Sequence, residues 1–341
     1  MTIESSKYTG RPADPKTTSR PTRKLTRIKK SKPNTSTAGG IVTITARDLQ
    51  LKEFPPLRYA VNGYLAEGVT LLAGKPKIGK SWMALDFGMA VATGGVALGK
   101  VKCSQGHVLY YALEDNVRRL QSRMRKLYGS VDKWPTGLHF ATKAKRLDDG
   151  LVDDLRAWIK AHRAKLVIID TFVAVRPHSR REGYDADYAA LSPLQEMAGQ
   201  MGVAIVLIHH LRKMLGDDPF DMILGTTGLT GAVDTAFVLS RGKQGATLYG
   251  RGREIEEIEK AVEFVGGTWK LLGDASVVRR SEERNEILDI LENAEEPMGP
   301  KEIADAVGKP ENNIKQLLFK MQKDGEIRKL GRGRYCIAEQ T

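Results

Sequence analysis

Two cysteines in 341 residues, Cys103 and Cys336, are too few for a disulfide framework, and their wide separation fits no metal-ligand spacing. They are expected as free thiols in a reducing cytosol. No apolar run approaches the roughly 18 residues that a membrane span needs. An apolar signal segment is missing as well, so the chain is expected to be cytoplasmic with no membrane partner. No internal repeat is visible. Acidic residues are scarce in one place above all: residues 1–40 hold ten Lys or Arg against Glu4 and Asp14, a surplus of eight within a net charge of +13. That stretch also carries Pro12, Pro15, Pro21 and Pro33 among many Ser and Thr. It has too little apolar surface to offset the entropy of ordering, which predicts a disordered basic tail over 1–40. Such a tail attracts polyanions, chiefly nucleic acid. A solubilising terminus would have the same composition. A transit peptide fits less well, because the prolines break the amphipathic helix it requires.

What is present begins at Gly74. Residues 74–81 read GKPKIGKS, a complete phosphate-binding loop between a buried strand, 69–73, and a helix, 80–93. Gly74 and Gly79 let the backbone N–H groups turn inward on phosphate oxygens, helped by the helix N-terminus. Lys80 reaches the outer phosphates and Ser81 offers a hydroxyl to Mg²⁺. The nucleotide contacts expected are therefore Gly74, Lys75, Pro76, Lys77, Ile78, Gly79, Lys80, Ser81 and Trp82, with ATP and Mg²⁺ as the cofactors. A chance Gly/Lys turn would rarely sit between a strand and a helix.

Further strands are predicted at 107–112, 138–141, 165–170 and 203–208, alternating with helices at 115–128, 150–163 and 186–200. Near-continuous apolar strands of this kind make a parallel sheet covered on both faces, so the fold class is α/β with a mostly parallel central sheet over 41–278. Shorter strands at 234–240, 246–250, 261–265 and 268–272 are expected as antiparallel edges. Residues 279–341 change character. Helices at 283–291, 301–307 and 310–323, followed by strands at 326–330 and 334–338 around Gly331–Gly333, predict a small C-terminal winged helix-turn-helix domain. Between 309 and 334 eight basic residues stand against three acids. Lys315 and Lys320 on the third helix, with Arg332 and Arg334 on the wing, are the candidate duplex-DNA contacts. A protein-docking module would have the same outline.

Three carboxylates and a histidine pair end the core strands. Asp170 closes LVIID and is expected to hold Mg²⁺ with Ser81, although an apolar strand ending in Asp is often only structural. Glu114, in YYALED, is the candidate general base for the attacking water, and Asp115 is expected to cap the following helix. Both acids would also suit a plain helix start. Of His209 and His210, strand alternation lets only one face the nucleotide. A zinc site is not expected, since no further His or Cys lies near.

The motifs GKPKIGKS, YYALED, LVIIDT and IVLIHHLRK followed by ILGTTGLTGAVDTAFVL, taken in this order, resemble the RecA-like ATPase core. The likeness is strongest to the RepA-type hexameric helicases of plasmids and phages, and it covers about 45–255. The resemblance implies that Glu114 is catalytic and that His210 senses the γ-phosphate. It also implies that Leu211 to Thr227, with Arg212 and Lys213, line a central pore that holds single-stranded DNA. Arg251 or Arg253 would reach a neighbouring subunit's nucleotide. The basic tail and the winged helix are departures from that family. The expected function is an ATP-hydrolysing ring ATPase that acts on DNA, a homo-oligomer and in the first instance a hexamer, serving as a replicative helicase of a mobile element. A non-unwinding recombination or loading ATPase and a nucleotide-gated DNA-binding regulator are the alternatives.

Overall fold

The computed structural model describes residues 36–38, 41–129, 133–178, 184–211, 218–223, 228–242 and 244–338. Most of the basic tail, together with Arg212 and Lys213, lies outside them. The chain forms two compact units, Met1–Pro56 and Leu57–Thr341. In the first, Ser36–Ala38 pairs antiparallel with Ile41–Thr43, and a short helix, Ala46–Leu51, is capped by the Thr45 side chain.

The second unit is built on a nine-stranded sheet. In chain order its strands are β1 (Gly68–Gly74), β2 (Val108–Ala112), β3 (Leu138–Ala141), β4 (Leu166–Asp170), β5 (Ala204–His210), β6 (Thr235–Gly242), β7 (Gly245–Gly252), β8 (Ile258–Val265) and β9 (Thr268–Asp274). They lie side by side as β9-β8-β7-β6-β1-β5-β4-β2-β3. The run from β6 to β3 is parallel, and β7, β8 and β9 continue it as antiparallel strands. This is the α/β class expected, with the expected antiparallel edge.

Between the strands run α1 (Lys80–Thr93), α2 (Val117–Tyr128), α3 (Leu151–His162) and α4 (Tyr184–Met201). Side chains alternate across the sheet, and each strand feeds two cores. Leu72, Val108, Tyr110, Ile168 and Val206 pack with Met83, Phe87 and Val91 of α1 and Leu120 and Met124 of α2. Leu71, Leu109, Val167, Ile169 and Leu207 pack on the opposite face with Leu155 and Ile159 of α3 and Leu191, Leu194 and Met197 of α4. Helix α1 is buried nearly all round, which its lack of a polar stripe dictates.

Three more helices follow: α5 (Ala275–Glu292), α6 (Pro300–Val307) and α7 (Glu311–Lys323). An antiparallel hairpin of β10 (Ile327–Leu330) and β11 (Arg334–Ile337) comes next. Met298, between α5 and α6, bridges Tyr335 of β11. Ile287, Leu291, Ile303, Ile314, Leu318, Met321, Ile327 and Tyr335 form a core of their own. Helix α5 begins eight residues before the expected 283, so the boundary predicted at 278/279 falls inside it. The residues from 275 to 292 contain neither Gly nor Pro, and nothing interrupts the helix there.

Candidate nucleotide and metal site

Strand β1 delivers Gly74 to the carboxyl edge of the sheet, between β5 and β6. A side chain at Gly74 would place its Cβ 2.8 Å from the Leu239 carbonyl oxygen of β6, so the close approach of backbones there admits only glycine. Gly79 sits at φ +112°, and its Cβ would meet the Trp269 ring at 3.0 Å. Trp269, on the antiparallel β9, is wholly buried beneath the loop and donates its indole N–H to the Gly79 carbonyl at 3.0 Å. Sequence reasoning missed this tryptophan: it lies 190 residues from Gly79, and no local pattern links them.

Lys80 opens α1 and is buried. Its ammonium donates to the carbonyls of Gly74 (2.7 Å) and Lys75 (3.0 Å) and lies 3.2 Å from His210 Nδ1. Burial lowers its pKa to about 8, while the nearby Asp170 and Glu114 carboxylates work in the opposite direction. An ammonium only donates, so His210 accepts at Nδ1 and presents Nε2–H toward Glu114, whose Oε2 is 3.7 Å away. Glu114 Oε1 in turn accepts from the buried Thr171 hydroxyl at 3.0 Å. Lys80–His210 and Glu114–Thr171 are thus two hydrogen-bonded pairs, with His210 and Glu114 3.7 Å apart, gathered where α1 begins and β5, β2 and β4 end. His209 points away, its ring against Phe172. The strand's alternation separates the two histidines as expected.

Asp170 is buried at the end of β4, and its Oδ2 accepts from Tyr110 Oη at 2.9 Å. Burial raises its pKa, opposed by hydrogen bonds from Ser81 and Tyr110. One hydroxyl and one carboxylate are the sparse protein set that Mg²⁺ takes when phosphate and water complete its shell. No group of three or more His, Cys, Asp or Glu among the described residues is arranged to hold a metal by itself. The Ser81–Asp170 pair fits a shared ion and not a closed cage.

Asp115 does not cap α2 as expected. Asn116 is the N-cap, accepting from the Arg119 N–H at 2.9 Å. Asp115 instead pairs with Arg119 and Arg123, one and two helical turns on. Arg123 is a site residue that the motifs did not reveal. With Pro76, Lys77, Gly79, Lys80, Ser81, Trp82, Glu114 and His210 it lines a cleft of about 520 Å³. It also lies over the Trp82 ring, as does Lys126, each 5.5 Å from the centroid. The acid-to-arginine spacing of four and eight was the signal available.

The other predicted residues lie elsewhere. Arg251 of β7 pairs with Asp218 and Glu257, both at 2.6 Å, and covers the Phe220 ring. Arg253 pairs with Asp234 and donates to the Gly231 carbonyl. Both arginines are therefore engaged within their own chain. Lys315 pairs with Glu311, and Lys320 is exposed on α7. Arg334 donates to the Pro297 carbonyl and to Glu302, which turns it toward α6. The Arg332 side chain, like Arg212 and Lys213, lies outside the described residues. No helix among the described residues is long and apolar enough to cross a membrane.

A family model described as an AAA domain matches residues 37–215, just over half of the 341-residue chain. Among solved structures, a KaiC-like protein of the hyperthermophilic archaeon Pyrococcus horikoshii OT3 aligns with 63% of this chain and 99% of its own. The alignment has 17% identity and a TM-score of 0.42. No curated protein matches the chain.

Proposed function

The chain belongs to the AAA domain family of ATPases, and from that premise we propose that it hydrolyses ATP as a ring-forming motor on DNA, a helicase of a replicating mobile element. The observation that carries the reading is the meeting of the Lys80–His210 and Glu114–Thr171 pairs beside the cleft, with His210 and Glu114 3.7 Å apart. The phosphate lysine, a γ-phosphate sensor and a general base come together there. Loss of the γ-phosphate would be felt at His210, and His210 leads straight into the 211–227 segment proposed to grip single-stranded DNA through Arg212 and Lys213.

The chain's own residues divide the chemistry. The loop amides and Lys80 bind and orient the triphosphate, and Lys80 meets the negative charge that develops on the transferred phosphoryl group. Glu114 orients the attacking water and takes its proton. Ser81 and Asp170 are the residues that would hold Mg²⁺, which would supply positive charge against the phosphates. The C-terminal helices and hairpin act as a winged helix on duplex DNA, a reading supported by their order and by the Met298–Tyr335 bridge that ties the α5–α6 connection to the hairpin.

The test is displacement of a labelled strand from forked DNA by the wild-type chain, with and without ATP. Lys80→Ala should abolish both turnover and displacement. Glu114→Gln should keep ATP binding and lose about 10²–10⁴-fold in turnover. Turnover without displacement would favour the non-unwinding ATPase. Normal turnover in Lys80→Ala would sink the nucleotide site itself.

A further inference from the structure

Helix α7 buries Ile314, Leu317, Leu318 and Met321 in the C-terminal core. Its opposite face runs through Asn312, Gln316, Phe319 and Lys323, spaced four, three and four residues apart, and all four are exposed. Asn313 and Lys320 flank that stripe. Phe319 stands out, since a phenyl ring 68% exposed on a helix contributes nothing to the fold beneath it.

The charges around this face are sorted. Asp324 and Glu326 both bind Arg284 of α5, Glu302 binds Arg334, and Glu283 binds Lys309. These acids are held in ion pairs, as is Glu311 of α7 with Lys315, while Lys320 and Lys323 of α7 stay exposed at the stripe. The face therefore complements a polyanion.

Resting on the winged-helix reading above, we infer that α7 reads A·T base pairs in the major groove of duplex DNA through Asn312, Asn313, Gln316 and Phe319. The chemistry of the base edges supports this choice. Carboxamides pair bidentately with adenine N6 and N7, and an apolar side chain packs on the thymine methyl. Arginine, the commonest specific partner of guanine, is absent from α7. Asn312 and Asn313 lie in the first turn, where a recognition helix meets base edges. Lys320 and Lys323 are left for phosphates, which fix register without reading sequence.

The experiment selects duplexes from a random pool with the full-length chain and then measures affinities for the selected site. Enrichment of A·T pairs at the core is expected. Asn312→Ala with Gln316→Ala should lower discrimination against A·T-to-G·C changes by about 5- to 150-fold per lost contact. Lys320→Ala should weaken all duplexes alike and flatten the salt dependence. Replacing the core thymines by deoxyuridine removes only the methyl and should weaken the wild type about fourfold, but leave Phe319→Ala unchanged. Far-ultraviolet circular dichroism and a thermal unfolding transition equal to wild type in each exposed-residue variant confirm that the C-terminal core is folded. Duplex binding without sequence preference, or enrichment of G·C cores, overturns this inference and leaves the duplex reading intact. If the full chain binds no duplex and the Phe319 face instead mediates self-association, both readings fall.

Discussion

Lys80 spends its hydrogen bonds on the Gly74 and Lys75 carbonyls and on His210, and its pKa is lowered to about 8 by burial. Phosphate oxygens favour the charged ammonium, so the bound form holds its proton more tightly than the free form. ATP affinity should be flat below pH 8 and fall by up to roughly tenfold per unit above it. Calorimetric titration between pH 7 and 9.5 checks this, with Lys80→Ala as the control that loses the dependence. A flat profile to pH 9.5 would mean that Lys80 stays charged in the free protein. Tyr110 makes a second case at this scale. Its hydroxyl is buried and donates to Asp170 Oδ2, and a hydrogen bond to a charged group contributes about 1.5–3 kcal/mol. Tyr110→Phe should leave the fold intact and raise the Mg²⁺ concentration needed for half-maximal turnover. An unchanged Mg²⁺ requirement would mean that Ser81 alone orients the carboxylate.

Strand β9 sits at the far edge of the sheet, yet its Trp269 holds the turn from loop to helix through the Gly79 carbonyl. Trp269→Phe keeps most of the ring and loses the donor, so thermal unfolding should show a loss of about 0.5–1.5 kcal/mol. Trp269→Ala opens a cavity as well and should cost about 3–5 kcal/mol. Both variants should bind ATP more weakly, because the loop loses its floor. At the opposite edge, β3 carries His139 among His107, His162 and Trp158, with ring centroids between 5.3 and 5.6 Å from it. Burial first, then His162 and His107, lower the His139 pKa below its ordinary 6.5. A histidine with a depressed folded pKa contributes stability that is present above the unfolded value and lost as pH falls through the folded one. The wild type should lose more stability between pH 7 and 5 than His139→Gln in parallel denaturant titrations. Equal losses would show that the cluster titrates without strain.

For the whole molecule, the proposed ring predicts that one subunit lends an arginine to another. Arg251 and Arg253 are held by Asp218, Glu257 and Asp234. These pairs are partly exposed, and such pairs contribute only about 0.2–1 kcal/mol each, so exchanging a partner for a neighbour's phosphate would cost little. If one acts in trans, mixing its inactive Ala variant with inactive Glu114→Gln should restore part of the turnover. No restoration by either variant would count against a shared site. The C-terminal helices raise a separate point. They pack on their own core, while Arg279 of the same α5 helix reaches back to Glu259 of β8. Truncation after Arg280 should therefore preserve basal ATP turnover and remove duplex binding. A truncated chain that no longer turns over ATP would mean that α5 supports the sheet along its full length.

Spacing alone determined the loop from Gly74 to Ser81, the strand–helix alternation and the carboxylates that end β2 and β4, because each depends on neighbours in sequence and on the two periodicities of the backbone. It also separated His210 from His209, since a strand turns successive side chains to opposite faces. What depended on distant segments meeting was decided only by the tertiary structure. The contacts of Trp269 with Gly79, Thr171 with Glu114 and Tyr110 with Asp170 join residues 190, 57 and 60 positions apart. The helix cap moved from Asp115 to Asn116 because Arg119 and Arg123 compete for the aspartate, and Arg334 turned from the wing toward Glu302. A carboxylate or guanidinium takes whichever partner the fold brings within reach, and sequence order does not encode that distance.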